Sequence, residues 1–249
     1  MQVTGLTNRG LERPRNEDSC FARDDTDLAL LVVADGMGGH QAGNVASSLA
    51  VSMAENLWEK LDRNVILSTG GARQLISRYI VEANELIITE ASSSLDKKGM
   101  GTTITAGLLC GNCLTIGHVG DSRAYLIKDN RIELLTRDHS LLEELIESGQ
   151  VDPEEAKSHP QRHVLTRALG ISRDLEIDVI EQDISENSIL LFCTDGLTSL
   201  VHDEEILALS RETSEPQKLA ESLIELANER GGFDNITVVV AAGIGGHQC

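Results

Sequence analysis

The chain has 249 residues and is 41% apolar, so it can bury a sizeable core; with three Phe, two Tyr and one Trp that core must be aliphatic. Its 21 basic and 40 acidic side chains leave a formal charge of −19 with no basic arm or stripe, which makes nucleic acid and anionic membrane poor partners. No apolar run approaches a membrane span, no leader-like segment opens the chain, and five scattered cysteines (20, 110, 113, 193, 249) suit a reducing cytoplasm.

Taken in chain order, apolar runs predict strands at 19–22, 28–34, 102–109, 114–119, 123–128, 175–180, 188–193 and 236–242. Two amphipathic helices fall between the early strands. Ala42, Val45, Ala46, Leu49, Met53, Leu57 and Leu61 recur at helical spacing, as do Leu75, Ile76, Tyr79, Ile80, Ala83, Ile87 and Ala91. Cys110-Gly-Asn-Cys113 reads as a two-residue hairpin turn with both thiols inward, since no second Cys or His pair accompanies it. A third helix begins near Pro216 and turns Leu219, Leu223, Leu226 and Ala227 inward.

Helices grouped in pairs between hairpin strands do not make a βαβ rhythm. The expected fold is α+β, a four-layer α-β-β-α sandwich with two central antiparallel sheets, in one domain over 1–249. Residues 136–170 are polar, rich in His and Arg and weakly periodic beyond a short helix at 140–148. They are expected to form a variable surface flap.

The chemistry is written at the strand ends. LLVVADG sets Asp35 after one strand, TIGHVGDSR sets Asp121 after another, ILLFCTDG sets Asp195 after a third, and GGFDN sets Asp234 just before the last. RPRNEDS places Glu17 and Asp18 ahead of a further strand. Any one Asp-Gly is explained by a turn. Five acidic sites at strand boundaries, if they share one cleft, would have to take up protons or bind a hard cation, and oxygen-only donors favour Mg²⁺ or Mn²⁺ over zinc. The glycines of GMGGHQAG (36–43) match neither GxGxxG nor a P-loop, so they are read as letting the backbone pass close to a metal.

The segments RPRNEDS, VVADGMGGHQAG, GMGTTITAGLL, HVGDSRAYL, LLFCTDGLTSL and GGFDNITVVV occur in one order across nearly the whole chain. In this the chain resembles the metal-dependent serine/threonine protein phosphatases of type 2C, the PPM family, and in its compact length the bacterial members. The resemblance implies a two-sheet sandwich and hydrolysis of phosphoserine and phosphothreonine on proteins, in partnership with a Ser/Thr kinase, by a monomer using two Mg²⁺ or Mn²⁺ ions and sometimes a third. It implies that Asp35 bridges two ions, Asp195 and Asp234 complete the first, and the Gly36 carbonyl binds the second. Glu17 and Asp18 would hold waters of that second ion, and Asp121 with Asp195 would hold a third. Arg13 would clamp the substrate phosphate and His40 would protonate the leaving oxygen, while His159 and His163 are candidates for substrate contact. His118, inside its strand, reads as a core histidine rather than a ligand. Ser199 stands where many members carry Asp or Asn, so no role is carried over to it.

Other readings fit less well. Asp25-Thr26-Asp27 precedes its strand, unlike the DxD of haloacid-dehalogenase-like phosphatases, and Cys193 lacks the downstream arginine of a cysteine phosphatase. A pseudophosphatase that only binds phosphoproteins would have lost metal-binding aspartates or the phosphate arginine, and all are present.

Overall fold

The computed structural model describes residues 1–38, 42–152, 161 and 164–245. One sheet runs in the order β1 (Gln2–Asn8), β12 (Ile236–Ala242), β11 (Ile189–Cys193), β8 (Arg123–Lys128) and β9 (Arg131–Leu134). The second runs β10 (Asp178–Asp183), β7 (Cys113–Val119), β6 (Ile104–Cys110), β3 (Leu28–Ala34) and β2 (Ser19–Asp25). A short ribbon pairs β4 (Gly36–Met37) with β5 (Gly101–Thr102). Every pairing is antiparallel. The helices are α1 (Ala42–Glu59), α2 (Arg63–Ile66), α3 (Gly71–Ala91), α4 (Leu141–Glu147), α5 (Asp195–Thr198), α6 (Asp203–Glu212) and α7 (Pro216–Glu229).

The period-2 alternation of strands sorts one apolar sequence onto two cores. In β3, Leu28, Leu30, Val32 and Ala34 face α1 and α3, whereas Ala29, Leu31 and Val33 face the other sheet. In β11 and β12, Leu191, Cys193, Val238 and Val240 face α5 to α7, and Leu190, Phe192, Val239 and Ala241 turn inward. The result is the expected four-layer sandwich. Among the described residues no helix is long and apolar enough to cross a membrane.

Several local expectations change. The face α1 buries is a stripe of small residues, Ala42, Ala46, Ala50 and Ala54, while Val45, Leu49, Met53 and Leu57 are only partly covered. Small side chains let this helix lie close to its neighbours, and Tyr79 Oη of α3 donates to Ala50 O (2.8 Å). The run 102–109 is broken at Thr103 into β5 and β6, because Thr102 and Thr103 both turn to Asp35. The strand expected at 175–180 starts at Asp178, since Leu175 and Ile177 pack against the helix-side core instead. The 110–113 hairpin forms, with Gly111 at φ 58°, but only Cys110 is inward; Cys113, opposite it in the ladder, is exposed where the core ends. Several elements were not expected, β1 and α6 among them. β1 is a half-covered edge strand, and α6 is a short helix opened by His202 N donating to Glu205 Oε2 (3.1 Å).

Two strand glycines set the layer spacing. A Cβ on Gly117 would fall 2.3 Å from Ile76 Cγ2 and 2.5 Å from Ile80 Cδ1 of α3, and one on Gly107 would fall 2.4 Å from Phe192 Cζ. Gly117→Ala should therefore push α3 off the sheet and cost about 1–3 kcal/mol, read as a lowered midpoint in urea denaturation. An unchanged midpoint would show that α3 can shift freely.

Candidate metal centre and active site

Register gathers the acidic positions at one end of the sandwich. In the second sheet Ser19 lies opposite Ala34, so Asp18, before β2, and Asp35, after β3, leave the ladder together. Val119 lies opposite Ile104, which sets the 120–122 turn beside Thr103, and Thr103 N donates to Asp35 O (2.9 Å). In the first sheet Cys193 pairs with both Val238 and Arg123. Thr194 and Asp195 therefore emerge beside Asp121 and Ser122 on one side and beside 234–237 on the other.

Asp18 joins the two sheets. It is 5% exposed, and its Oδ2 accepts from Thr237 Oγ1 (2.7 Å) and Thr194 Oγ1 (2.9 Å), both on the opposite sheet. Its Oδ1, equally buried, has no hydrogen-bond partner among the described residues. Burial, reinforced by the charges of Asp195 and Asp234, pushes this carboxyl up to about 7 despite the two threonines. Asp121 is pushed up to about 8 by burial, then by Asp195 and Asp138. Asp35 is raised well above the carboxylate range by burial and then by Asp18, Asp195, Asp121 and Asp234. These five aspartates thus share one electrostatic field.

Asp35 sits on a fixed backbone. Its N–H donates to Thr103 Oγ1 (2.9 Å), its carbonyl accepts from Thr102 Oγ1 (2.8 Å), and Thr103 Oγ1 bonds Ser122 Oγ (2.7 Å) next to Asp121. A second group of oxygens meets where glycine leaves room. A Cβ on Gly43 would lie 2.7 Å from both Glu17 Oε2 and Gly36 O, so only glycine lets this carboxylate and carbonyl face one point. Burial raises the Glu17 pKa, opposed by Arg13 and Arg15.

Arg13 and Asp234 are held together, Nη2 donating to Oδ2 at 2.6 Å. The Asp234 bond is the largest cause of the raised Arg13 pKa, and Asp35 and Asp195 add to it. The loop that carries Arg13 is fastened by Asn235, whose Nδ2 donates to Arg9 O and Arg15 O (2.8 Å each) and whose Oδ1 accepts from Glu17 N (2.8 Å). His118 is a core residue as expected. It is fully buried between Thr105 Oγ1 and Arg137 O (2.9 Å each), and burial lowers its pKa to about 4. His40, His159 and His163 lie outside the described residues.

These donors fit a hard divalent cation. All are oxygens, Asp18 Oδ1 lacks a partner, and the carboxyls disfavour their own charge where they sit. Among the described residues no three His, Cys, Asp or Glu side chains stand in a ready-made coordinating cluster. Asp234 is turned onto Arg13. Sequence reasoning singled out the carboxylates but missed Thr103, Thr194, Thr237 and Asn235, which orient them. Their signal was adjacency: Thr194 and Asn235 directly flank Asp195 and Asp234, and Thr237 is the second residue of the last strand.

The protein phosphatase 2C family pattern matches residues 12–228. The serine/threonine phosphatase Stp of Listeria welshimeri is 39% identical over 244 residues, covering 96% of this chain and 95% of its own. The crystal structure of the Mycobacterium tuberculosis serine/threonine phosphatase PstP superposes with a TM-score of 0.87 at 38% identity, covering 97% of each chain. A structure of the PstP catalytic domain in complex with two manganese ions superposes at 0.85 with 36% identity, again over 97% of each. The chain belongs to the protein phosphatase 2C family; it is a metal-dependent protein phosphatase.

Two outcomes follow from the geometry. In the cation-free protein the raised carboxyls keep protons that an unfolded chain loses near 3.8, so their contribution to stability is full below 3.8 and is lost as pH rises from there through about 7 to 8. Urea denaturation with chelator present should give a lower midpoint at about pH 8.5 than at about pH 5.5, and added Mn²⁺ should reverse that order. Asn235→Ala should loosen the Arg13 loop. It should raise KM for a phosphopeptide about tenfold and speed proteolysis within 9–17, whereas a purely structural loss would lower the denaturation midpoint and leave KM alone.

Proposed function

We propose that this serine/threonine protein phosphatase hydrolyses phosphoserine and phosphothreonine with two divalent cations, Mg²⁺ or Mn²⁺, held between Asp35, Asp195, Asp234, the Gly36 carbonyl and the waters of Glu17 and Asp18, with Asp121 and Asp195 holding a third. The observation that carries this reading is the convergence of five aspartates from both sheets at one end of the sandwich, each charge working against the others. When bound, the cations supply hydroxide at neutral pH and offset the charge of the phosphoryl oxygens.

The chain's own residues do the rest. The threonine contacts hold Asp35 and Asp18 in place, so the site is organised before substrate arrives. Arg13 presents a planar fork of donors suited to phosphate. Moving its Nη2 from Asp234 to a phosphate oxygen leaves Asp234 Oδ2 available to a cation. His40 gives a proton to the departing serine or threonine oxygen, a duty suited to an imidazole near neutral pH. We assign 136–170 to a flap of a single domain. The short bridges support this, since Ser140–Leu165 joins two parts of the segment and Thr102–Leu169 ties its end to the ribbon beside Asp35. His159 and His163 are its candidates for substrate contact. The scattered cysteines and the acidic surface suit a cytoplasmic monomer opposing a Ser/Thr kinase.

The test is hydrolysis of a phosphothreonine peptide against cation concentration. Turnover should vanish after chelation and return with Mn²⁺ or Mg²⁺, and Arg13→Ala should raise KM more than it lowers kcat. Full turnover in chelator would reject the metal assignment, and an unchanged KM would remove Arg13 from the phosphate.

A further inference from the structure

Beside the Arg13 loop, on the outer side of the first sheet, a groove of about 700 Å³ opens between β1 and α7. Leu6, Leu11 and Ile224 give it apolar walls, and Glu221, Glu225 and Glu229 line its other side. Leu11 is 63% exposed, an apolar side chain with no cover of its own. We propose that this groove docks the stretch of a phosphoprotein substrate that flanks its phosphorylated residue, and that it selects flanks combining an apolar side chain with Lys or Arg. The proposal rests on the phosphatase reading above and deepens it.

Three observations identify the occupant. The first is continuity with the site. Leu11 N donates to Gly232 O (2.8 Å), which fastens the groove wall to the turn leading into Asp234, and two residues on Arg13 holds that aspartate. A chain whose phosphate lies at Arg13 therefore has the groove as its neighbour.

The second is charge. Glu221, Glu225 and Glu229 recur at i, i+4 and i+8, a spacing at which like charges weaken a helix. The cations of the same stretch relieve them only in part: Lys218 and Arg230 attract Glu221 and Glu229, but their direct ion pairs go to Glu215 and Glu205. A basic segment laid along α7 would add counter-charge, above all at Glu225 between them.

The third is what the charge excludes. A chain of net charge −19 repels its own copies and anionic lipid from an acidic groove, while a basic, partly apolar peptide is attracted to it. Such a peptide would bury Leu11 and gain the glutamate field together.

The experiment compares wild type with the triple variant Glu221→Gln, Glu225→Gln, Glu229→Gln, and with Leu11→Ser. Substrates are two phosphothreonine peptides that differ only in Lys-Leu or Glu-Ser flanks, and p-nitrophenyl phosphate, which is too small to reach the groove. Wild type should prefer the Lys-Leu peptide. The triple variant should lose about tenfold in kcat/KM on it, mainly through KM, with the other peptide and the aryl phosphate within about twofold of wild type. Leu11→Ser should lower the same rate selectively, and the wild-type preference should shrink with salt.

Equal losses on all three substrates, or no loss on the Lys-Leu peptide, would overturn the groove assignment and leave the phosphatase standing. So would concentration-dependent dimers in sedimentation that the triple variant abolishes, because the face would then belong to a second copy. Wild-type turnover of the aryl phosphate with none of either peptide would instead bring down the protein phosphatase reading, and the groove with it.

Discussion

Asp18 spans the gap between the two sheets, and the sandwich closes around it. Its carboxylate is buried, takes hydrogen bonds from Thr194 and Thr237 of the facing sheet, and still leaves one oxygen unmatched. Two charges at 4 Å repel by roughly 4 kcal/mol at an effective dielectric near 20, so adding Asp35, Asp121, Asp195 and Asp234 to the same end opposes folding unless protons or cations offset it. The raised carboxyls are the signature of that tension. A site that resists its own charge is one that a divalent cation stabilises on binding.

The scaffold holds this tension because each carboxylate is anchored by its neighbours in sequence. Thr102 and Thr103 hold the Asp35 backbone, Ser122 joins that network beside Asp121, and Asn235 closes the 9–17 loop through three bonds. All are short polar side chains at the ends of strands whose interiors are largely aliphatic. The cores supply rigidity, and the strand ends supply direction.

The surface has a different logic from the site. Inside, negative charge is concentrated between the two sheets; on α7, negative charge is laid out along one face beside apolar walls. The 9–17 loop belongs to both, with Leu11 on the groove side and Arg13 and Glu17 on the site side. A phosphorylated protein chain that combines an anionic centre with basic flanks would match this arrangement of one arginine among acids.

The amino-acid sequence by itself determined the layer architecture and the identity of the carboxylates. Strand and helix periods differ, and each aspartate directly borders an apolar run that has to be buried. It could not say which face of LALLVVA meets the helices and which meets the other sheet, because both faces are equally apolar. Nor could it show that α1 buries its alanines in preference to its larger residues, or that Cys113 lies beyond the core. β1 escaped notice because an edge strand needs only a partner, and β12 provides it over seven residues. Above all, the meeting of Asp18 with Thr194 and Thr237, and of Arg13 with Asp234, joins positions 176 to 221 residues apart. Only antiparallel register and sheet-on-sheet packing bring them together, because local pattern carries no information about which distant strand ends will share a cleft.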